Sequence, residues 1–84
     1  MAFEAALTHR FLRELRRLEA DIRERALDAI NEIIVDPFKG VKLRGELAGL
    51  HRWRLGSHRI VYMIDVSTSR IVFLKIGSRK AIYK

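Results

Sequence analysis

The stretch Leu50–Ile64, LHRWRLGSHRIVYMI, sets the terms for the whole chain. It reads as two strands joined at Gly56-Ser57. Side chains alternate along a strand, so Arg52 and Arg54 share one face of the first strand while Trp53 and Leu55 take the other. The second strand holds Arg59 just inside its start, followed by a nearly unbroken apolar run from Ile60 to Ile64. A hairpin that sets three arginines among apolar and aromatic residues predicts a sheet surface that meets something anionic. The remainder of the chain must support that sheet or extend its charge.

Upstream, Ala2–Leu7 is a plausible but Ala-rich first strand, and Thr8 is placed to cap a helix through its hydroxyl. Phe11, Leu12, Leu15 and Leu18 recur at helical spacing, with Arg10, Arg13, Arg16 and Arg17 mostly off that face. In the second helix Asp21 and Glu24 resemble a capping box, and Ile22, Ala26, Ala29, Ile30, Ile33 and Ile34 make the apolar face. Asp36-Pro37 ends it, because proline disfavours helix in the residue before it. The short link between the two helices predicts an antiparallel helical hairpin.

Phe38–Gly49 connects the helices to the sheet, with Lys42, Leu43 and Arg44 extended before a turn at Gly45. Strands are expected over Leu50–Gly56, Arg59–Val66 and, after the polar turn Ser67-Thr68-Ser69, over Arg70–Ile76. The dense apolar content of the last run marks it as a central strand. The order β-α-α-β-β-β predicts an α+β fold, with antiparallel strands in a twisted sheet and the helical hairpin on one face. Residues 1–84 form one small domain, without repeat or linker.

Charge sharpens the functional expectation. The chain carries a formal net charge of +7, and it is unevenly spread. Residues 1–38 hold six basic and eight acidic side chains, whereas residues 39–84 hold eleven and two, so the halves balance at −2 and +9. Such self-repulsion predicts a polyanion, or an acidic protein, as partner. No apolar run approaches the ~20 residues that span a bilayer, and the start MAFEAALTHR lacks the layout of a signal peptide. With no cysteine there is neither a disulfide framework nor a thiolate metal site. The carboxylates are scattered and the histidines lack ligand spacing, so neither metal nor small-molecule cofactor is expected. The expected compartment is the cytoplasm, with no membrane partner.

Three segments appear in order: Lys42-Leu43-Arg44-Gly45, the hairpin Leu50–Gly56 leading into His58-Arg59-Ile60-Val61-Tyr62, and the tail Ile76-Gly77-Ser78-Arg79-Lys80-Ala81-Ile82-Tyr83. Together, over the whole chain, they resemble the RelE/ParE superfamily of toxins from toxin–antitoxin pairs. The resemblance implies a RelE-like fold and a cognate antitoxin that wraps the toxin. One branch of that superfamily cleaves mRNA in the decoding site of the translating ribosome; the other poisons DNA gyrase. The basic sheet and the C-terminal tyrosine resemble the nuclease branch.

On that resemblance Arg44, Arg59 and Arg79 fall on positions that grip and polarise the scissile phosphate, and Tyr83 on the position that stacks on or orients an mRNA base. Lys42, Arg52, Arg54, Lys75 and Lys80 are expected to contact RNA or ribosome. The implied reaction is attack of a ribose 2′-hydroxyl on the adjacent phosphate, which needs fixed positive charge near the non-bridging oxygens. Arginine suits this task because its planar fork pairs two oxygens and stays protonated. Where some relatives carry lysines, positions 52 and 54 are arginines, poor general bases. His51 and His58 are therefore candidate acid–base groups, although both differ in strand parity from the neighbouring arginine. The alternatives are a non-catalytic inhibitor of a protein such as gyrase, and a catalytically decayed RNA-binding homologue.

Overall fold

The computed structural model describes residues 3–82. The chain runs β1 (Glu4–Leu7), α1 (His9–Arg16), α2 (Ala20–Val35), β2 (Val41–Lys42), β3 (Leu50–Leu55), β4 (His58–Asp65), β5 (Arg70–Ser78) and α3 (Arg79–Ile82). Short 3-10 turns at Pro37–Lys39 and Gly45–Leu47 flank β2. The sheet has five strands in the order β1-β5-β4-β3-β2. The expected α+β architecture is present, and β3, β4 and β5 form the expected antiparallel meander.

Two features depart from the expected order. The first strand pairs parallel to β5, Ala5 opposite Ile71 and Leu7 opposite Phe73, because the two helices carry the chain across the sheet before it re-enters. Of the Lys42–Arg44 segment only Lys42 is in a strand, the two-residue edge strand β2, with Val41 opposite Arg52 and Lys42 opposite His51. A further correction concerns α2. It begins at Ala20 behind Glu19, whose side chain makes no capping hydrogen bond, so Asp21 and Glu24 form no capping box. Asp21 sits in the first turn, where its carboxylate still complements the helix dipole.

Thr8 caps α1 as expected: its Oγ1 accepts from the Phe11 N–H at 3.1 Å. The same hydroxyl donates to the Phe73 carbonyl at 2.9 Å, which ties the start of α1 to β5. Phe11 and Leu15 of α1, with Ala26, Ala29, Ile30 and Ile33 of α2, then cover Ile60, Tyr62, Ile71, Phe73 and Ile76 of the sheet. Phe11 meets Phe73 with ring centroids 5.4 Å apart. Tyr62 is fully buried and donates its hydroxyl to the Pro37 carbonyl at 2.7 Å. Burial pushes the phenol up to about 12, so it remains a donor. Gly40 makes room for this bond, since a Cβ there would stand on the Tyr62 hydroxyl. Among the described residues no helix is long and apolar enough to cross a membrane.

One irregularity positions the site. Between Val61 and Tyr62 the β4–β5 register shifts: Val61 opposes Lys75 but Tyr62 opposes Phe73, leaving Leu74 as the extra residue of a bulge. Replacing Phe11, wholly buried between the helices and β5, with alanine removes ~3–5 kcal/mol. Against the 5–15 kcal/mol typical of a small domain, that loss should show as a large drop in the urea midpoint of Phe11→Ala.

Candidate nucleic-acid interface

Helices α1 and α2 cover one face of the sheet. On the other face, two cross-strand rows collect the cations. One row is Arg54, Arg59 and Gly77; the next is Arg52, Val61 and Lys75. Directly opposed residues share a face, so Arg54 and Arg59 lie side by side as like charges, an unfavourable arrangement unless an anion intervenes. Among the described residues the one salt bridge is Arg10–Glu14 on α1, so no carboxylate pairs with these arginines.

Arg59 is the centre of the patch. It is 7% exposed. Its Nη1 donates to the carbonyls of Gly56 at 3.3 Å and His58 at 3.2 Å. Its Nε is buried and has no partner among the described residues. A buried donor without an acceptor is costly, and an incoming anionic oxygen would relieve that cost. The turn that holds Nη1 is a two-residue loop with Gly56 at φ +60°, the pattern of a type II′ hairpin, where a side chain at this position would be strained. Arg79 reaches the same turn through its backbone, donating to Ser57 O at 3.4 Å, with its side chain exposed beside exposed Lys80.

The other candidates are dispersed. Arg44 is exposed on the turn after β2, near Leu50, at the end of β3 remote from the Gly56–Ser57 turn. From Leu50 to Arg54 the strand covers four residues, about 14 Å. Lys42 pairs with His51 and shares its side of the sheet instead of that of Arg52. Lys75 is on the arginine face, but its Nζ is engaged by the Ile82 carbonyl at 2.9 Å. Tyr83 lies outside the described residues.

Neither histidine shares the face of Arg59. His51 lies on the helix side, 7% exposed, its ring stacked on Tyr62 with centroids 5.5 Å apart, and neither ring nitrogen has a described partner. Burial, and then the charge of Lys42, hold its pKa below the usual histidine value. His58 pairs with Leu55 and Ser78, and its Nδ1 lies 3.2 Å from the Ser57 hydroxyl. Sequence reasoning missed two contributors. The Arg25 guanidinium of α2 comes within 3.4 Å of where a Cβ on Gly56 would sit, which adds a cation to the turn. Glu14 of α1 accepts from the Ile76 N–H at 3.1 Å, immediately beyond the bulge. Neither carries a local signal, since both contacts join segments far apart in sequence.

Comparisons with known proteins agree with this architecture. Residues 5–83 match the family model of the ParE toxin of the parDE type II toxin–antitoxin system. Toxin RelE of Mycobacterium tuberculosis is 32% identical over 84 residues, covering 98% of this chain and 87% of that protein. The toxin–antitoxin complex RelBE2 of the same organism contains a chain that superposes with a TM-score of 0.87 at 28% identity, covering 94% of this chain and 100% of that one. The intact RelBE toxin–antitoxin complex of E. coli gives 0.82 at 25% identity, covering 92% and 96%. This chain belongs to the RelE/ParE superfamily of type II toxins.

Two measurements probe the site. His51 is favoured in its neutral form, so the stability it lends is complete above the unfolded value near 6.5 and is lost as pH falls below it. The melting temperature of the native protein should therefore fall between pH 6.5 and 5 more steeply than that of His51→Leu. For the arginine face, Arg54→Gln should reduce the salt dependence of single-stranded RNA binding, lowering the slope of log K against log salt by about 0.7 if one phosphate contact is lost.

Proposed function

We propose that this toxin is a ribosome-dependent endoribonuclease that cuts mRNA in the decoding site and so inhibits translation. The observation that carries the reading is Arg59, buried in an otherwise uncompensated cationic face, with an unpartnered Nε and with Arg79 anchored to the same turn. In the step inferred, the 2′-hydroxyl of one nucleotide attacks its 3′ phosphorus. The bond to the 5′ oxygen of the next nucleotide breaks, the 2′-hydroxyl proton is released, and the leaving oxygen takes up a proton. The products are a 2′,3′-cyclic phosphate and a 5′-hydroxyl.

Arg59 and Arg79 stabilise the charge that builds on the non-bridging oxygens. Arg52 and Arg54 bind the flanking phosphates and the ribosome, with Lys80 extending the patch at α3; Lys42, on the other side of the sheet at the β2 edge, meets the ribosome rather than these phosphates. Arg44, at the far end of β3, serves a neighbouring phosphate. Tyr83 follows α3 in the chain and, by the family resemblance, offers a ring to an unstacked base. With both histidines on the other side of the sheet, the acceleration comes from positioning and charge. That accounts for a need for the ribosome, which would supply an ordered mRNA. The setting is the cytoplasm, and the partner in repression is a cognate antitoxin whose acidic surface answers the +9 half of the chain.

The match to a ParE model supports a second reading, inhibition of a protein target such as gyrase. One experiment separates the two. The 5′ ends of a defined message are mapped with and without programmed ribosomes, and gyrase supercoiling is followed in parallel. Cuts in codon register that require ribosomes, reduced about 10²–10³-fold by Arg79→Ala, support the nuclease. An intact message with protein in excess of ribosomes overturns it, and inhibition of supercoiling under those conditions would favour the second reading.

A further inference from the structure

Lys75 stands on the arginine face without facing outward as a free cation. Alternation from Ile71 and Phe73, both fully buried toward the helices, would aim residue 75 into the core. The bulge at Leu74 reverses the parity, sending Ile76 inward and Lys75 and Gly77 outward. Lys75 then lies opposite Val61, one row from Arg59, and its Nζ donates to the Ile82 carbonyl at 2.9 Å. Ile82 is the last residue of α3, so the ammonium meets the carbonyl end of that turn, where a cation is favoured.

The turn needs such a tether. Four residues of helix are far below the length that is stable alone. Its apolar anchor is small: Val61 and Ile82 are buried apart from the helix-side core. Ile82 and Ala81 lie over Gly77, where a Cβ would stand 3.8 Å from Ile82 Cδ1 and 3.7 Å from Ala81 Cβ. Gly77 is the partner of Arg59 across the strands. The tail is thus fixed at both ends, by Arg79 N on Ser57 O and by Lys75 on Ile82 O, and it lies beside Arg59.

We propose that Lys75 is a positioning residue: by holding the Ile82 carbonyl it locks the C-terminal turn against the bulged strand, fixing Arg79 at the start of the turn relative to Arg59. It acts through the tail and makes no contact with the RNA itself. The catalytic consequence rests on the nuclease reading above, whereas the tether does not.

The test uses Lys75→Met, which keeps the apolar stem and deletes the donor, with Lys75→Arg as the conservative variant. Backbone order parameters are measured by NMR, and ribosome-dependent cleavage is resolved into kcat and KM for programmed ribosomes. In Lys75→Met the order parameters of residues 79–82 should fall from the rigid range near about 0.85 toward about 0.6, with the sheet unchanged. The kcat should drop about ten- to a hundredfold, the scale of a misplaced catalytic group, with KM within about twofold and with both properties restored by Lys75→Arg. Native order in residues 79–82 of Lys75→Met would overturn the proposal. So would a loss carried by KM, which would mark a direct RNA contact, and so would a loosened tail with unchanged kcat. If the native protein cuts no message, the nuclease reading fails, and the order parameters alone decide whether Lys75 fixes the tail.

Discussion

The bulge in β5 is the constraint on which the functional face depends. A regular strand through Ile71 and Phe73 would next bury a lysine and expose an isoleucine, which costs several kcal/mol for the charge alone. One extra residue puts Ile76 into the core and turns Lys75 and Gly77 to the arginine side. On its other edge β5 is held from the start and body of α1. The Thr8 N–H, continuing the parallel β1–β5 ladder, and the Thr8 hydroxyl both donate to the Phe73 carbonyl at 3.2 and 2.9 Å. Past the end of β1, Glu14 accepts from the Ile76 N–H. Helix α1 therefore does more than cover the core, because its cap and a carboxylate one turn from its end hold the irregular strand from the opposite face.

The two faces of the sheet divide the energetic labour. The helix side collects nearly all the buried apolar surface, and its aromatic contacts run from Phe11 through Phe73 to Tyr62. The other side carries opposed arginines and a buried guanidinium Nε with no described acceptor, and both are unfavourable in the free protein. A fold tolerates such a face when the core is sufficient and when a ligand offsets the cost on binding. The division also explains the unequal halves of the chain. The acidic half supplies α1 and α2, and the basic half supplies the strands that make the patch, so the sequence asymmetry becomes a separation in space.

Much of this was legible in the sequence, because its signals are local. Thr8, the apolar spacing of the two helices, Pro37 and the Gly56-Ser57 turn each identify their element without help from distant residues. Strand parity alone placed Arg52 and Arg54 together and set His51 apart from Arg52 and His58 apart from Arg59. What was not legible depends on long-range partners. The capping box at Asp21 failed because the chain was already extended at Glu19, one residue before helix entry. The parallel pairing of β1 needed knowledge of where the helices deliver the chain. The role of Glu14 spans 62 residues, and that of Arg25 rests on the hairpin turn meeting α2. The bulge left a trace, since Ile71, Phe73 and Ile76 break the two-residue period, but the break has meaning only once the partner strand is known.

The placement of the arginines also sets where along the face an anion interacts most strongly. Arg59 and Arg79 are both tied to one turn, Arg59 by its side chain on the Gly56 carbonyl and Arg79 by its backbone N–H on the Ser57 carbonyl. A two-residue turn with little freedom is a good mount for groups that must be held within about 0.5 Å of their working positions. Arg44 stands apart, at the other end of β3, with about 14 Å of strand between. Arg54 and Arg52 lie on the strand between the two ends. Arg59 is the buried cation of the face, so an added negative charge interacts most strongly at the turn end.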